Sequence, residues 1–237
     1  MQINRPSIIA FASPKGGVGK STSCINIAGA LCAAGHNVHI IDLDQTQTLG
    51  RWFANHREAL ATKVPNLSVV THPEAQILEH LQAAFYARSG FILVDVAGAL
   101  GQAMLHAATI ADLTITPSKL SEPDIMEAYK LHTRMVALGE EVEKPILHRI
   151  LVNEVAALLP GYQVHALEQI ANNDLQRFET LIHNRAAYAE VMFSGEPPHF
   201  ADRNRPPIRK AIEEIDALVR EVFAILNNNQ QVEAAAA

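Results

Sequence analysis

The residues that could do chemistry begin near the start of the chain, in the stretch PKGGVGKST at positions 14–22. Its three glycines let backbone N–H groups approach phosphate oxygens, because no side chain stands in the way. Lys20 would reach the β- and γ-phosphates of a nucleotide, and the hydroxyl of Ser21 would join the shell of a Mg²⁺ ion. The predicted nucleotide contacts are Gly16, Gly17, Val18, Gly19, Lys20, Ser21 and Thr22.

Three carboxylates follow short apolar runs further along the chain. Asp42 and Asp44 follow VHII, and Asp95 follows FILV. A buried strand that ends in one aspartate is the arrangement that delivers a carboxylate to nucleotide-bound Mg²⁺. The carboxyl ends of strands are also where ligands bind in open α/β sheets. We therefore predict Ser21, Asp42 and Asp95 at a Mg²⁺ site, with Asp44 nearby.

The elements that must position these residues alternate between strands and helices. Several strands are apolar throughout, as expected when helices cover both faces of a sheet. The pattern predicts an α/β fold with a doubly wound, mainly parallel sheet and helices on both faces. The predicted strands are Ser7–Ala12, Val38–Ile41, Leu67–Val70, Phe91–Val94, Leu113–Thr116, Ile150–Val152 and Thr180–Ile182. The predicted helices are Ser21–Ala34, Pro73–Ala87, Asp124–Leu138, Ala166–Arg177 and Pro207–Leu226.

Length and composition bound the domain organisation and the compartment. The 237 residues are about half apolar, and the net charge is −6. We expect a single domain over residues 1–226 and a loose polar tail over residues 227–237. The sequence contains no uninterrupted apolar run of about 18 residues, so it does not predict a membrane span. The start lacks the features of a secretory signal. Cys24 and Cys32 are expected to be reduced and buried in one helix, as in a cytoplasmic protein.

The stretch KGGVGKST, with Lys15 directly before the glycines, resembles the deviant Walker motif of the ParA/MinD family of ATPases. In that family the early lysine reaches across a dimer interface to the nucleotide of the other subunit. The resemblance implies that the chain hydrolyses ATP slowly with Mg²⁺ and forms a homodimer when ATP binds. Lys20 would act within its own subunit. Lys15 would act in the partner's site, where a second cation compensates the charge of two triphosphates held face to face.

The same resemblance implies roles for further polar side chains. Asp44 would position or activate the attacking water, and Asp42 would lie near Mg²⁺ and its waters, in a segment where DLDQTQ replaces the family's usual D-x-D-P-Q. Asn153, in LVNEV, would read adenine. The stretch ADLTITPSKLSEPD also matches a family strand and loop, and the resemblance spans residues 6–226. The predicted catalytic residues are Lys15, Lys20 and Asp44.

One local cluster of basic residues indicates contact with DNA. The segment ADRNRPPIRK at positions 201–210 carries four cations and one aspartate. Phosphate contacts from such a patch would give sequence-independent, salt-sensitive binding to DNA. The predicted final helix is charge-balanced, so we expect it to pack on the domain rather than to lie on a membrane. The predicted DNA contacts are Arg203, Arg205, Arg209 and Lys210.

The leading hypothesis is a small ParA-class ATPase that acts in plasmid or DNA partition, associated with nucleoid or plasmid in the cytoplasm. Its partner would be a centromere-binding, ParB-like protein that stimulates hydrolysis. The stretch DLDQTQTLGRWFANH also resembles VirC-type accessory ATPases, which implies conjugative or T-DNA transfer with a relaxosome protein. Two further alternatives are a metabolic ligase with the same phosphate loop and a nucleotide-binding module without hydrolysis.

Overall fold

The computed structural model describes residues 5–71, 90–98 and 101–236. In these ranges six strands form one sheet in which every pair of neighbours is parallel. The strands are β1 (Ser7–Phe11), β2 (Val38–Asp42), β3 (Leu67–Thr71), β4 (Phe91–Asp95), β5 (Leu113–Lys119) and β6 (His148–Asn153). Their order across the sheet is β3-β2-β4-β1-β5-β6. Because the chain moves to both sides of β1, the carboxyl end of β1 lies where the winding reverses, which is where ligands bind in such folds.

Wherever the structure describes the connection between two successive strands, it contains a helix, as parallel neighbours require. The first three helices are α1 (Lys20–Ala33), α2 (Thr48–Asn55) and α3 (Arg57–Lys63). The others that the structure describes are α4 (Gln102–Ile110), α5 (Glu122–Glu141), α6 (Gly161–Asn172), α7 (Ala186–Ser194) and α8 (Pro206–Ala236), with a short 3₁₀ helix at Pro198–Phe200. None of the described helices has the length and apolar content that a membrane crossing needs.

Helices cover both faces of the sheet, and alternate residues of β1 show this directly. Ile9 and Phe11 lie in an apolar core with residues of α1, α2, α7 and α8. Ile8 and Ala10 lie in a second core with residues of α4 and α5. Successive side chains of a strand point to opposite faces, so the two cores lie on opposite sides of β1. The predicted doubly wound α/β fold is confirmed.

The C-terminal helix α8 is amphipathic and packs on the domain, as predicted. Its apolar residues recur every three or four positions, and this spacing places them on one face of a helix. Its buried residues in the first core are Ile208, Ala211, Ile215, Leu218, Val219, Val222 and Leu226. The helix continues to Ala236, past the predicted end at Leu226 and through the expected tail. Glycine and proline are absent from residues 227–236, so nothing in the backbone interrupts the hydrogen-bond ladder there.

The predicted strand Thr180–Ile182 is wrong. This segment runs beside β6, but the bridges are isolated and lie on either side of it, at Arg177 and His183. Glu221 of α8 accepts hydrogen bonds from the N–H groups of Glu179 (2.7 Å) and Thr180 (2.8 Å). A carboxylate thus takes backbone donors that a further strand would need. The predicted helix Pro73–Ala87 lies outside the described residues. The two cysteines of α1 are buried free thiols, as expected.

Candidate functional site

The register of the parallel strands brings the candidate residues to one edge of the sheet. Phe11, the last residue of β1, pairs with Asp95, the last residue of β4. Asp95 in turn pairs with Asp42, the last residue of β2. On the other side of β1, Asn153 ends β6 beside Lys119 of β5. The phosphate loop therefore leaves β1 between two strand ends that carry carboxylates and one that carries an amide.

The loop between β1 and α1 has the backbone geometry of a phosphate cradle. Gly17 and Gly19 adopt φ of 73° and 95°, a region that favours glycine. Val18 between them is buried and fixes the loop to the domain. Helix α1 begins at Lys20, and no described side chain caps its first N–H groups. These donors and the positive end of the helix dipole remain available to an anion.

The two lysines of the motif occupy different positions. Lys20 is 7% exposed, and its Nζ lies 3.2 Å from the backbone oxygen of Lys15, so it spans the base of the loop. A Cβ on Gly98 would approach the same Nζ to 3.3 Å, so the turn after β4 closes over this lysine. The Lys15 side chain instead turns to the start of α5, where its Nζ lies 2.6 Å from Oδ1 of Asp124. That side chain is 39% exposed.

Asp95 and Ser21 meet beneath the loop. The Ser21 hydroxyl donates to Oδ2 of Asp95 at 2.6 Å, and Asp95 is only 1% exposed. Burial, together with the charge of Asp42, raises the pKa of Asp95 to about 7, although the Ser21 hydrogen bond and the charge of Lys20 lower it. Oδ1 of Asp95 is buried and has no hydrogen-bond partner among the described residues. A buried acceptor without a donor is costly unless a cation or water satisfies it.

This donor set fits Mg²⁺. The ion takes oxygen ligands, keeps several waters and uses only one or two protein carboxylates beside substrate phosphates. Accordingly, the described residues contain no cluster of three or more His, Cys, Asp or Glu side chains that could hold a metal. Ser21 and Asp95 would hold the ion, directly or through water, and the ion would compensate charge on the phosphates. The unpartnered Oδ1 of Asp95 is the observation that supports this fit.

Asp42 at the end of β2 and Asp44 just after it accept hydrogen bonds from nearby backbone N–H groups. Asp42 is buried and accepts from the N–H groups of Asp44 (3.0 Å), Leu49 (2.9 Å) and Gly50 (3.0 Å), so it caps the first turn of α2. Burial raises its pKa, while these hydrogen bonds oppose the rise. Oδ1 of Asp44 accepts from the N–H and the hydroxyl of Thr46, both at 2.8 Å. The roles of Asp42 near Mg²⁺ and of Asp44 on the attacking water stay predictions.

Asn153 supports the phosphate loop from the other side. Its Nδ2 donates to the backbone oxygen of Val18 at 2.9 Å, and its Oδ1 accepts from the N–H of Glu154 at 2.9 Å. The amide lies so close to the loop that a Cβ on Gly19 would meet Nδ2 at 2.1 Å. The side-chain amide therefore holds the loop in place. One amide hydrogen and one oxygen lone pair remain, so its contact with adenine stays a prediction.

A cavity of about 140 Å³ adjoins the phosphate loop on this side, between Thr22, Asn153 and residues 183–189. Glu214 of α8 organises its wall. The carboxylate accepts from Nδ1 of His183 (2.8 Å), from Nε of Arg185 (3.0 Å) and from the Tyr188 hydroxyl (2.7 Å). Burial alone would raise the pKa of Glu214, but the bonds from Arg185 and Tyr188 lower it, so the group is anionic. The sequence analysis missed this cluster, because four residues on three separate segments build it.

The four basic residues proposed for DNA are exposed around the start of α8. Arg209 and Lys210 are the fourth and fifth residues of this helix. Arg205 forms an ion pair with Glu190 at 3.0 Å, and Arg203 donates to the backbone oxygen of His199. The patch therefore carries less net positive charge than its sequence indicates. Arg203 and Arg205 precede α8, which also carries Glu214.

The parallel sheet, the phosphate loop with its early lysine and the buried Ser21–Asp95 pair define a P-loop ATPase of the ParA/MinD type. The family model of the ATPase MipZ matches residues 7–157, and the chain belongs to this family. It is therefore an ATPase, which sets aside the metabolic ligase and the module without hydrolysis.

Individual relatives agree with this assignment. Protein ParA of Rhizobium radiobacter is 23% identical over 217 residues, which cover 91% of this chain and 96% of that protein. Protein virC1 of the same species is 30% identical over 134 residues, or 55% of this chain and 57% of that protein. The solved structure of a plasmid partition protein of Borrelia burgdorferi bound to AMPPNP has a TM-score of 0.69 at 18% identity, covering 92% of this chain and 100% of that one. At this identity the last comparison shows a shared fold.

Proposed function

We propose that the chain is an ATPase that dimerises on binding Mg²⁺-ATP, associates with DNA and acts in plasmid or DNA partition. The observation that carries the proposal is the contrast between Lys20, which lies inside the phosphate loop, and Lys15, which turns out of it. Lys20 serves the nucleotide of its own subunit. Lys15 is at the mouth of the site, where a nucleotide in a second copy of the chain would come within its reach.

The physical reason for dimerisation is charge. Two triphosphates held face to face repel each other unless cations lie between them, and a cation from each subunit lowers that repulsion. The nucleotide base would enter the cavity between Asn153 and residues 183–189, next to the loop. Asp44 is proposed to position the attacking water. Slow hydrolysis, accelerated by a partner, would then end the dimeric state.

The names of the relatives support partition as the process. ParA and the plasmid partition protein resemble this chain over nine-tenths of its length. A partner of the centromere-binding, ParB-like kind is therefore proposed. The exposed cations around the start of α8 would contact DNA phosphates without regard to sequence, and dimerisation would double their number. We propose that the protein works in the cytoplasm on nucleoid or plasmid.

Mass measurements by light scattering with ATP, with ADP and without nucleotide test the dimerisation step. We expect a dimer with ATP only. Lys20→Ala should lose nucleotide binding, Lys15→Ala should bind ATP as a monomer, and Asp44→Ala should bind ATP and stay dimeric. A chain that remains single with saturating ATP, and that Lys15→Ala does not alter, would overturn the proposal.

DNA binding needs its own experiment. Replacing all four patch residues by alanine should weaken the affinity for DNA and flatten its dependence on salt, because fewer counterions are released. Unchanged affinity and salt dependence would reject the patch. A control variant loses the same charge outside the patch, by alanine at Lys63, Lys130, Arg134 and Lys144, and should bind DNA more tightly than the patch variant does.

A second candidate function is an accessory role in conjugative or T-DNA transfer with a relaxosome protein. The similarity to virC1 over about half of the chain favours it. Trp52, from the stretch that resembles VirC-type proteins, is buried, and its Nε1 donates to the backbone oxygen of Val191 at 2.9 Å. This tryptophan therefore stabilises the fold and does not separate the two functions. Stimulation of ATP hydrolysis by a centromere-binding or by a relaxosome protein would do so.

A further inference from the structure

The Lys15–Asp124 ion pair lies at the mouth of the nucleotide site and does not belong to the phosphate cradle. The Asp124 side chain is 11% exposed and uses both oxygens. Its Oδ1 accepts from Lys15 and its Oδ2 accepts from the Ser121 hydroxyl, both at 2.6 Å. Ser121 is also the N-cap of α5 and accepts from the N–H of Asp124. The carboxylate is thus fixed by the start of a 20-residue helix and not by a mobile surface chain.

The charge state of Asp124 is settled by its neighbours. Burial alone would raise the pKa of this carboxyl, but the hydrogen bonds from Lys15 and Ser121 and the charges of Lys15 and Lys119 outweigh burial and lower it. The group is therefore an anion at neutral pH. The proposed function requires Lys15 in the partner's site. Within its own subunit, however, Lys15 faces the negative charge of Asp124, whose orientation is fixed.

The ammonium group of Lys15 lies against Asp124 at 2.6 Å, outside its own phosphate loop. We propose that Asp124 is a positioning residue that restrains Lys15 within its own subunit, so that dimerisation must first break this ion pair in both copies. The inference rests on the proposed function and adds its regulation. A triphosphate carries more negative charge than a diphosphate, so it competes better with the carboxylate for the lysine. The restraint would thereby help the dimer to discriminate ATP from ADP.

The test measures the fraction of dimer against nucleotide concentration for the full chain and for Asp124→Asn, which keeps the shape of the side chain but removes its charge. We expect half-dimerisation at a roughly fivefold lower ATP concentration, given the strength of partly exposed ion pairs, and detectable dimer with ADP. Glu127→Gln is the matched control, since it removes the charge of an ion pair with Lys130 on the same helix. This control should behave as the unchanged chain does.

Two further variants separate restraint from a structural effect on α5. Lys15→Ala combined with Asp124→Asn should abolish the gain, because the gain acts through the lysine, and Asp124→Glu should restore the ATP requirement. Asp124→Ser serves the same test if the asparagine variant unfolds. If the charge-free variants need as much ATP as the unchanged chain, or more, the restraint is rejected while ATP-dependent dimerisation stands. If the unchanged chain never dimerises with ATP, the proposed function itself fails.

Discussion

The phosphate side and the proposed base side of the nucleotide site are built in different ways. On the phosphate side, one short loop and one strand end supply the chemistry, and Ser21 at the start of α1 meets Asp95 at the end of β4, at 2.6 Å. On the base side, Asn153 ends β6, while Glu214 of α8 holds the loop around His183. Backbone conformation determines the first region, and hydrogen bonds between distant segments determine the second.

The difference teaches where each region is sensitive. A phosphate cradle depends on backbone N–H groups that point to the ligand. Glycine allows this because it adopts positive φ values without strain and has no side chain in the way. A wall of hydrogen-bonded side chains tolerates changes as long as its donors and acceptors stay matched. The two regions touch at one place, where the amide of Asn153 lies against Val18 and Gly19. Substitutions there and on either side should separate loss of phosphate binding from loss of base binding.

The largest effect is expected for Gly19→Ala. The residue adopts a φ of 95°, and an added Cβ would meet Nδ2 of Asn153 at 2.1 Å, so both the backbone and the packing oppose the change. We expect a loss of about 1–3 kcal/mol in the free energy of unfolding and a fall of about 100-fold in affinity for ATP. Chemical denaturation and calorimetric titration measure the two quantities.

Gly16→Ala is the control for stability. Gly16 lacks a positive φ, and a Cβ there would meet none of the described atoms within 4 Å. Its free energy of unfolding should change by no more than about 0.5 kcal/mol. Equal destabilisation by the two substitutions would show that the contact between Gly19 and Asn153 does not constrain the loop.

Asn153→Ala comes next and decides between two roles for the amide. If Asn153 holds the phosphate loop, the variant should lose about tenfold in affinity for ATP and equally for inorganic tripolyphosphate, because one hydrogen bond to Val18 orders the loop for both. If the side chain reads adenine instead, ATP binding should fall and tripolyphosphate binding should not. Asn173→Ala removes an exposed asparagine that follows α6 and should change neither affinity.

Glu214→Gln should act on the base side alone. Removing the charge weakens the bonds from His183 and Arg185, so we expect a loss of about 2 kcal/mol in the free energy of unfolding. Affinity for ATP should fall a few-fold, while affinity for tripolyphosphate stays the same. Glu221→Gln, on the same helix, removes the charge and one of the two oxygens that accept from Glu179 and Thr180, and should destabilise without any effect on nucleotide. If Glu214→Gln lost affinity for ATP and for tripolyphosphate to the same extent, the separation of a base side from a phosphate side would be refuted.

The same contrast explains how far the sequence alone could lead. The phosphate loop, Asp95 and the doubly wound sheet were predictable, because glycine spacing and apolar strands are local signals. The partner of Lys15 was not, since Asp124 is 109 positions away and only the fold brings it to the loop. The strand expected at Thr180–Ile182 failed for a related reason. Glu221 takes the N–H of Thr180 at the start of that segment, and nothing in the segment itself reveals this.

Replacing His148, at the start of β6, should have the smallest effect on stability at neutral pH. Acid should enlarge this effect. Its Nε2 lies 2.7 Å from the Thr116 hydroxyl, and its ring stacks on that of His132. Burial, helped by the charges of His132 and Arg149, lowers the pKa of His148 to about 3. Between pH 6.5 and 3 the unfolded chain therefore binds a proton that the folded chain does not, so stability falls as the pH falls.

His148→Gln tests this, because glutamine can still bond Thr116 and does not titrate. The unchanged chain should lose about 2 kcal/mol more than the variant in free energy of unfolding between pH 7 and pH 5. Denaturation curves at several pH values measure the difference. Because β6 carries Asn153 at its other end, acid should weaken the base side of the site through this strand. The free energies of unfolding of the two proteins could instead change in parallel with pH. That result would show that His148 also binds a proton in the folded chain, and that acid does not weaken the base side through β6.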